Sequence, residues 1–136
     1  MPVKVLVPAD GTTAAEHVIR AIAQELGPPL EVIVGYVQTP DMSNDDRIRA
    51  TTSLIDHVGR ARTDDINCRL ARTKHDSVPE GIVALAKHEK VDMIAMYTDP
   101  NRPPEERPEG SFARKVKEIA SCEVRLFDTQ QLPAVA

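Results

Sequence analysis

The chain has almost no aromatic surface. Only 3% of its 136 residues are Phe, Tyr or Trp, and Trp is absent altogether. Platforms on which successive bases could stack are therefore missing. A surplus of basic charge is missing too: 17 Lys and Arg stand against 21 Asp and Glu, a net of −4. That balance opposes a phosphate backbone and excludes nucleic acid as a general partner. The two cysteines, Cys68 and Cys122, form no C-x-x-C pair and have no ligand-like neighbours, so they read as free, inert thiols. No apolar run approaches the ~20 residues that cross a bilayer, and no membrane association is expected. Met1-Pro2-Val3-Lys4 leads straight into an apolar strand pattern without a separate h-region or small-residue cleavage site, which makes the expected address cytoplasmic.

What is present is a regular alternation of two periodicities. Val3–Pro8, Leu30–Val37, Ile66–Ala71, Asp92–Tyr97 and Glu123–Phe127 read as strands, the first two apolar nearly throughout. Between them run helical stripes. The first is Ala15, Val18, Ile19, Ile22 and Leu26, closed by Gly27-Pro28-Pro29. A weaker second is Ile48, Thr52, Ile55 and Val58. The third is Ile82, Leu85 and Ala86, and the fourth Phe112, Val116, Ile119 and Ala120. Thr13 with Glu16 and Ser77 with Glu80 have the spacing of capping boxes. The order β-α-β-α-β-α-β-α-β implies right-handed crossovers and a parallel sheet covered on both faces, one domain spanning 1–136. Continuous apolar runs suit its central strands. Such a sheet binds ligands at the carboxyl ends of its strands, at the switch point in strand order.

Several polar groups have bland readings. His75-Asp76-Ser77 holds the residue types of a hydrolytic triad, but adjacent residues cannot converge as a triad must, so it reads as a polar strand-to-helix loop. His17, His57 and His88 lack i,i+4 histidine partners, and no metal site is expected. Arg47, Arg49, Arg60, Arg62 and Arg69 interleave with Asp45, Asp46, Asp56, Asp64 and Asp65 as a solvated mixed-charge face. The stretch 99–109 holds four of the 11 prolines and reads as a loop, either functional or a mobile surface excursion.

Met96-Tyr97-Thr98-Asp99-Pro100, followed across that loop by Gly110-Ser111, carries the most specific signal. The spacing Tyr97-x2-Pro100-x9-Gly110-Ser111 resembles the G-x2-G-x9-G-[S/T] signature of the universal stress protein family, with the last glycine and the serine kept. Val5-Leu6-Val7-Pro8-Ala9-Asp10-Gly11-Thr12 looks like that family's opening strand and Asp-Gly-Ser turn. Val91–Met96 resembles its D-[LM]-I-V-M-G strand, Gly110–Val116 its helix start, and Ala120–Val124 the approach to its final strand. The resemblance implies an α/β/α sandwich with a five-stranded parallel sheet in the order 3-2-1-4-5. It also implies that Asp10 contacts ribose or adenine, that the end of the second strand at Val37 reads adenine, and that Gly110 and Ser111 hold phosphate. Ala9 would line the same pocket. Tyr97 and Pro100 stand where ATP-binding members carry glycine.

Glycine allows unusual φ and lets backbone amides approach a ligand closely, whereas Tyr97 adds a ring and Pro100 removes an amide donor. The loop 99–109 adds a net charge of −2, from four acids and two bases. Each close exposed like-charge pair costs about 1 kcal/mol in water. Gly110 and Ser111 can still offer amides and a hydroxyl to one phosphate. Asp10 reads equally as a ribose or metal-bridged phosphate contact and as a turn aspartate. Ser111 reads as a ligand contact, a phosphoacceptor or simply a first helical turn. The function implied is a non-enzymatic regulatory or protective module with weak or no ATP binding. The alternative is an ATP- or AMP-binding switch or slow ATPase. A homodimer through strand 123–128 is expected, because an edge strand with Val124, Leu126 and Phe127 offers unpaired amides and apolar side chains.

Overall fold

The computed structural model describes residues 3–9, 14–97 and 115–127. Its elements are β1 (Val3–Pro8), α1 (Ala14–Leu26), β2 (Leu30–Gln38), α2 (Asn44–Thr63), β3 (Cys68–Lys74), α3 (Val78–Glu89), β4 (Met93–Tyr97) and β5 (Glu123–Phe127). Residues 115–119 are also helical. The strands form one parallel sheet in the order β3-β2-β1-β4-β5, as the resemblance implied. The loop 99–109 lies outside the described residues. Among the described residues no helix is long and apolar enough to cross a membrane.

Strand alternation divides the core into two layers. Val5, Val7, Val32, Val34, Tyr36 and Ala95 face α1 and α2, where Val18, Ile19, Ile22, Leu54 and Val58 meet them. Leu6, Ile33, Val37, Ile94 and Met96 face α3 and Val116. β1 and β2 are buried on both faces, which is why they read as unbroken apolar runs. At Gly35 an added Cβ would force the core to shift, since an ideal one would stand 2.6 Å from Leu6 Cδ1.

Three local expectations are corrected. β3 begins at Cys68 and continues to Lys74, because Arg72, Thr73 and Lys74 pair with Tyr36, Val37 and Gln38 of β2. Ile66 instead closes the turn after α2, its amide donating to Ala61 O at 2.9 Å. The inner stripe of α2 is Leu54, His57, Val58 and Ala61, and Ile48 and Ile55 point outward, 64% and 60% exposed. The capping boxes are also different. Ser77 is the N-cap of α3 but makes no side-chain cap bond; its amide donates to His75 Nδ1 at 3.0 Å. Thr13 lies outside the described residues, and Glu16 turns inward to an ion-pair cluster.

Candidate functional site

The chain lays down β1, β2 and β3 in one direction and then returns to place β4 on the other side of β1. The carboxyl ends of β1 and β4 are therefore the switch point in strand order, where a parallel sheet of this kind places its ligand cleft. Ala9 follows β1 at its rim, with its amide donating to Gly35 O at 2.8 Å. The β1–β2 register ends at Pro8↔Gly35, whereas β2 runs on to Gln38. Tyr36, Val37 and Gln38 thus extend past the last β1 pair. Tyr97 is the final residue of β4 and registers with Phe127.

Of the residues singled out in the sequence, the structure brings Ala9, Val37 and Tyr97 to this one edge of the sheet. Val37 does not offer its side chain to the cleft. It is buried under α3, so close to Gly81 that a Cβ there would stand 2.8 Å from Val37 Cγ1. What the end of β2 presents to a ligand is therefore backbone. Asp10, Pro100, Gly110 and Ser111 lie outside the described residues. A small Ala9 and a projecting β2 backbone leave hydrogen-bonding backbone groups at this edge of the sheet.

The surroundings of the β2 end are polar and tied down. Tyr36 is buried, and its hydroxyl donates to Met42 Sδ at 2.6 Å. Burial pushes its phenol up, opposed in part by the Arg47 and Arg72 guanidinium groups. The His75 amide donates to Gln38 O at 3.1 Å and the imidazole Nδ1 accepts from the Ser77 amide. His75-Asp76-Ser77 is accordingly a structural loop that fixes the last residue of β2 to the start of α3.

Sequence reasoning missed a cluster between α1 and α2. The Glu16 carboxylate, in a residue only 8% exposed, lies 3.2 Å from Arg60 Nη1, 3.5 Å from His57 Nδ1 and 3.8 Å from Arg20 Nη2. Ser53 Oγ stands 3.5 Å from His57 Nε2. Serine, histidine and carboxylate thus line up, but Ser53 sits inside a helix, whose amides are committed to intrahelical bonds. Acyl transfer needs free backbone donors for a developing oxyanion, and a helix interior does not supply them. The cluster joins two helices instead. Its signal was His57 at i+3 from Leu54 on what proves to be the buried side. The neighbouring arginines are only partly a solvated face: Arg60 reaches Glu16, Arg62 Nε donates to Cys68 O at 2.8 Å, and Arg69 clamps Glu31 and Glu89, each at 2.8 Å. Among the described residues no group of His, Cys, Asp or Glu could hold a metal ion.

The model of the universal stress protein family matches residues 1–127. No curated protein matches the chain. Among solved structures, a universal stress protein from Archaeoglobus fulgidus is similar with a TM-score of 0.77 at 23% identity, covering 93% of this chain and 98% of its own. A universal stress protein from the same organism in complex with dAMP gives 0.73 at 21% identity, covering 93% and 97%. A family protein from Arabidopsis thaliana with AMP bound gives 0.69 at 14% identity, covering 93% and 92%.

Proposed function

Because the chain belongs to the universal stress protein family, we propose that it is a cytoplasmic, non-enzymatic regulatory or protective module whose nucleotide cleft binds ATP weakly or not at all. The observation that carries this is Tyr97 as the last residue of β4, at the carboxyl edge beside the end of β1. The family's ATP-binding members are expected to have glycine there. Tyrosine lacks the conformational freedom and close backbone approach that glycine gives a phosphate loop, and proline at 100 has no amide to donate. The purine end of the cleft is better supported than the phosphate end, since Ala9 and the projecting β2 backbone are in place.

The second reading is an AMP-class switch. It is favoured by the relatives of the same fold that were crystallised with AMP or dAMP. Titration calorimetry with AMP and with ATP-Mg separates the two. Under the first reading the wild type shows at most weak heat with ATP. Tyr97→Gly with Pro100→Gly then gains at least ~10-fold in ATP affinity, or ~1.4 kcal/mol. Part of that gain is lost to the greater cost of ordering a glycine loop. Tight ATP binding by the wild type overturns the first reading.

We also propose that β5 pairs with β5 of a second copy. It is the last strand in the sheet order, so its outer edge faces no other strand of the described residues. Arg125, the charge that would oppose pairing, is drawn to Glu25 of α1 and lies 5.4 Å from the centre of the Phe127 ring. Asp128 lies outside the described residues. Amide exchange measured at increasing protein concentration tests this pairing: protection of β5 amides should rise as dimer forms, and exchange independent of concentration refutes it.

A further inference from the structure

The outward side of α2 carries an exposed seam that lies away from the core, with Arg62 at its end also donating to Cys68 O. Asp45, Ile48, Thr52, Ile55, Gly59 and Arg62 follow one another at intervals of three, four, three, four and three residues, and all six are exposed. This is the a/d rhythm of a coiled coil, with Asp45, Thr52 and Gly59 at one position and Ile48, Ile55 and Arg62 at the other. The helix meets its own core through Leu54, His57, Val58 and Ala61, on its opposite side. Two β-branched side chains outside the monomer's core therefore sit in water on this 20-residue helix, Ile48 in its second turn and Ile55 just past its midpoint.

We propose that this seam docks antiparallel onto α2 of a second copy of the chain. In an antiparallel pair, a positions face d positions. The layers then become Asp45 against the partner's Arg62, Ile48 against the partner's Gly59, and Thr52 against the partner's Ile55, each repeated by the two-fold axis. Every layer is complementary. The outer layers bring acid to base. At Gly59 an ideal Cβ would meet nothing within 4 Å, so the helix surface there is bare and leaves room for a partner isoleucine. The central layers set Ile55 against the partner's Thr52, a residue of similar branching and smaller volume. Parallel pairing would instead place Asp45 on Asp45 and Arg62 on Arg62. The charge order thus selects both the orientation and a second copy as occupant, the isologous contact of a symmetric dimer. The acidic first turn (Asp45, Asp46) and basic last turn (Arg60, Arg62) of α2 reinforce the same sense. α2 packs beside β3, at the far end of the strand order from β5, so this contact and β5 pairing do not compete. It does not depend on nucleotide binding.

Sedimentation equilibrium of the full chain tests it, with melting temperatures recorded for each variant to separate association from folding. Ile55→Glu should remove one association step while leaving the melting temperature unchanged at low protein concentration. Asp45→Lys and Arg62→Glu should each weaken association at least ~10-fold, and the double exchange Asp45→Lys/Arg62→Glu should recover most of the loss. Within one helix these residues stand 17 positions apart (62 − 45), about 25 Å, so such recovery can only arise between copies. A chain that stays at its monomer mass of 15.0 kDa up to roughly 100 μM overturns the proposal. So does an oligomer whose mass ignores Ile55→Glu, which would be held elsewhere, or a double exchange whose loss is the sum of the single ones.

Discussion

The carboxylate of Glu16 on α1 stands 3.5 Å from Nδ1 of His57 on α2, with the histidine only 4% exposed. Arg60 approaches the same carboxylate oxygen at 3.2 Å from the solvent side. A carboxylate taken out of water needs such partners, and two guanidinium groups and an imidazole supply them. Glu16→Ala would leave His57 facing a vacated polar site while Arg20 and Arg60 can swing back into water. The expected loss is about 1–3 kcal/mol, below that of a fully buried pair. Urea unfolding measures it. A change under about 0.5 kcal/mol would show that the cluster merely decorates an interface held by Val18, Leu54 and Val58.

A second charged clamp gives the protein an acid dependence. Arg69 of β3 joins Glu31 of β2 to Glu89 of α3, each at 2.8 Å. The hydrogen bond from Arg69 holds the Glu89 carboxyl below its usual range. A carboxyl whose folded value is depressed stabilises the fold above its unfolded value of ~4.3, and that contribution is lost as pH falls through the folded value. Arg69→Met should therefore cost about 1 kcal/mol at neutral pH, since the arginine is half-exposed, and should flatten the stability profile below pH ~4.3. An acid limb of the same slope in the variant would place the dependence elsewhere.

How far the sequence foretold this molecule depended on whether a residue's partners were near or far in the chain. β1 and β2 were readable because both faces of each strand are buried, which leaves no polar alternation to confuse the pattern. α2 was not, because it bears two stripes of similar spacing. Ile48, Thr52 and Ile55 form the more hydrophobic one and proved external. The stripe that packs contains His57, whose burial depends on a glutamate 41 positions earlier (57 − 16), and periodicity cannot see that. Ala9, Val37 and Tyr97 lie at or next to the carboxyl ends of β1, β2 and β4, since strand ends follow from apolar run lengths. That Val37 turns its side chain away was not legible, because the deciding contact, Gly81, belongs to a later helix.

The two thiols sit at opposite edges of the sheet, Cys68 opening β3 and Cys122 preceding β5, and both are free. Burial pushes the Cys68 thiol up to about 11, and it also raises Cys122, which is less deeply placed. A thiol raised in the fold favours the native state below its unfolded value of ~8.5, and that advantage fades as pH rises through the folded value. Stability should decline between pH ~8.5 and the Cys68 value, and Cys68→Ala should lessen the decline while leaving a small cavity. At neutral pH an aromatic disulfide reagent should titrate Cys122 slowly, and Cys68 only after denaturant is added. Equal rates for both thiols in the native protein would contradict the burial of Cys68.

Two glycines with opposite surroundings give opposite expectations for the same substitution. At Gly35 an added methyl would stand 2.6 Å from Leu6 Cδ1 and 3.1 Å from Leu85 Cδ2, in the middle of the β2–α3 interface. Leu6 is fully buried and cannot retreat without disturbing its layer. Gly35→Ala should therefore cost about 1–3 kcal/mol through overpacking. At Gly59, in α2, the methyl would meet nothing within 4 Å. There the only change is the loss of glycine's helix penalty, so Gly59→Ala should stabilise the monomer by about 0.5–1 kcal/mol. The same methyl would take up the room left for the partner's Ile48, so the more stable monomer should associate less tightly. Melting at low concentration and sedimentation at high concentration read the two effects separately. A variant both more stable and more tightly associated would mean that the α2 contact does not pass through Gly59, and an inert Gly35→Ala would mean that Leu6 has room to move.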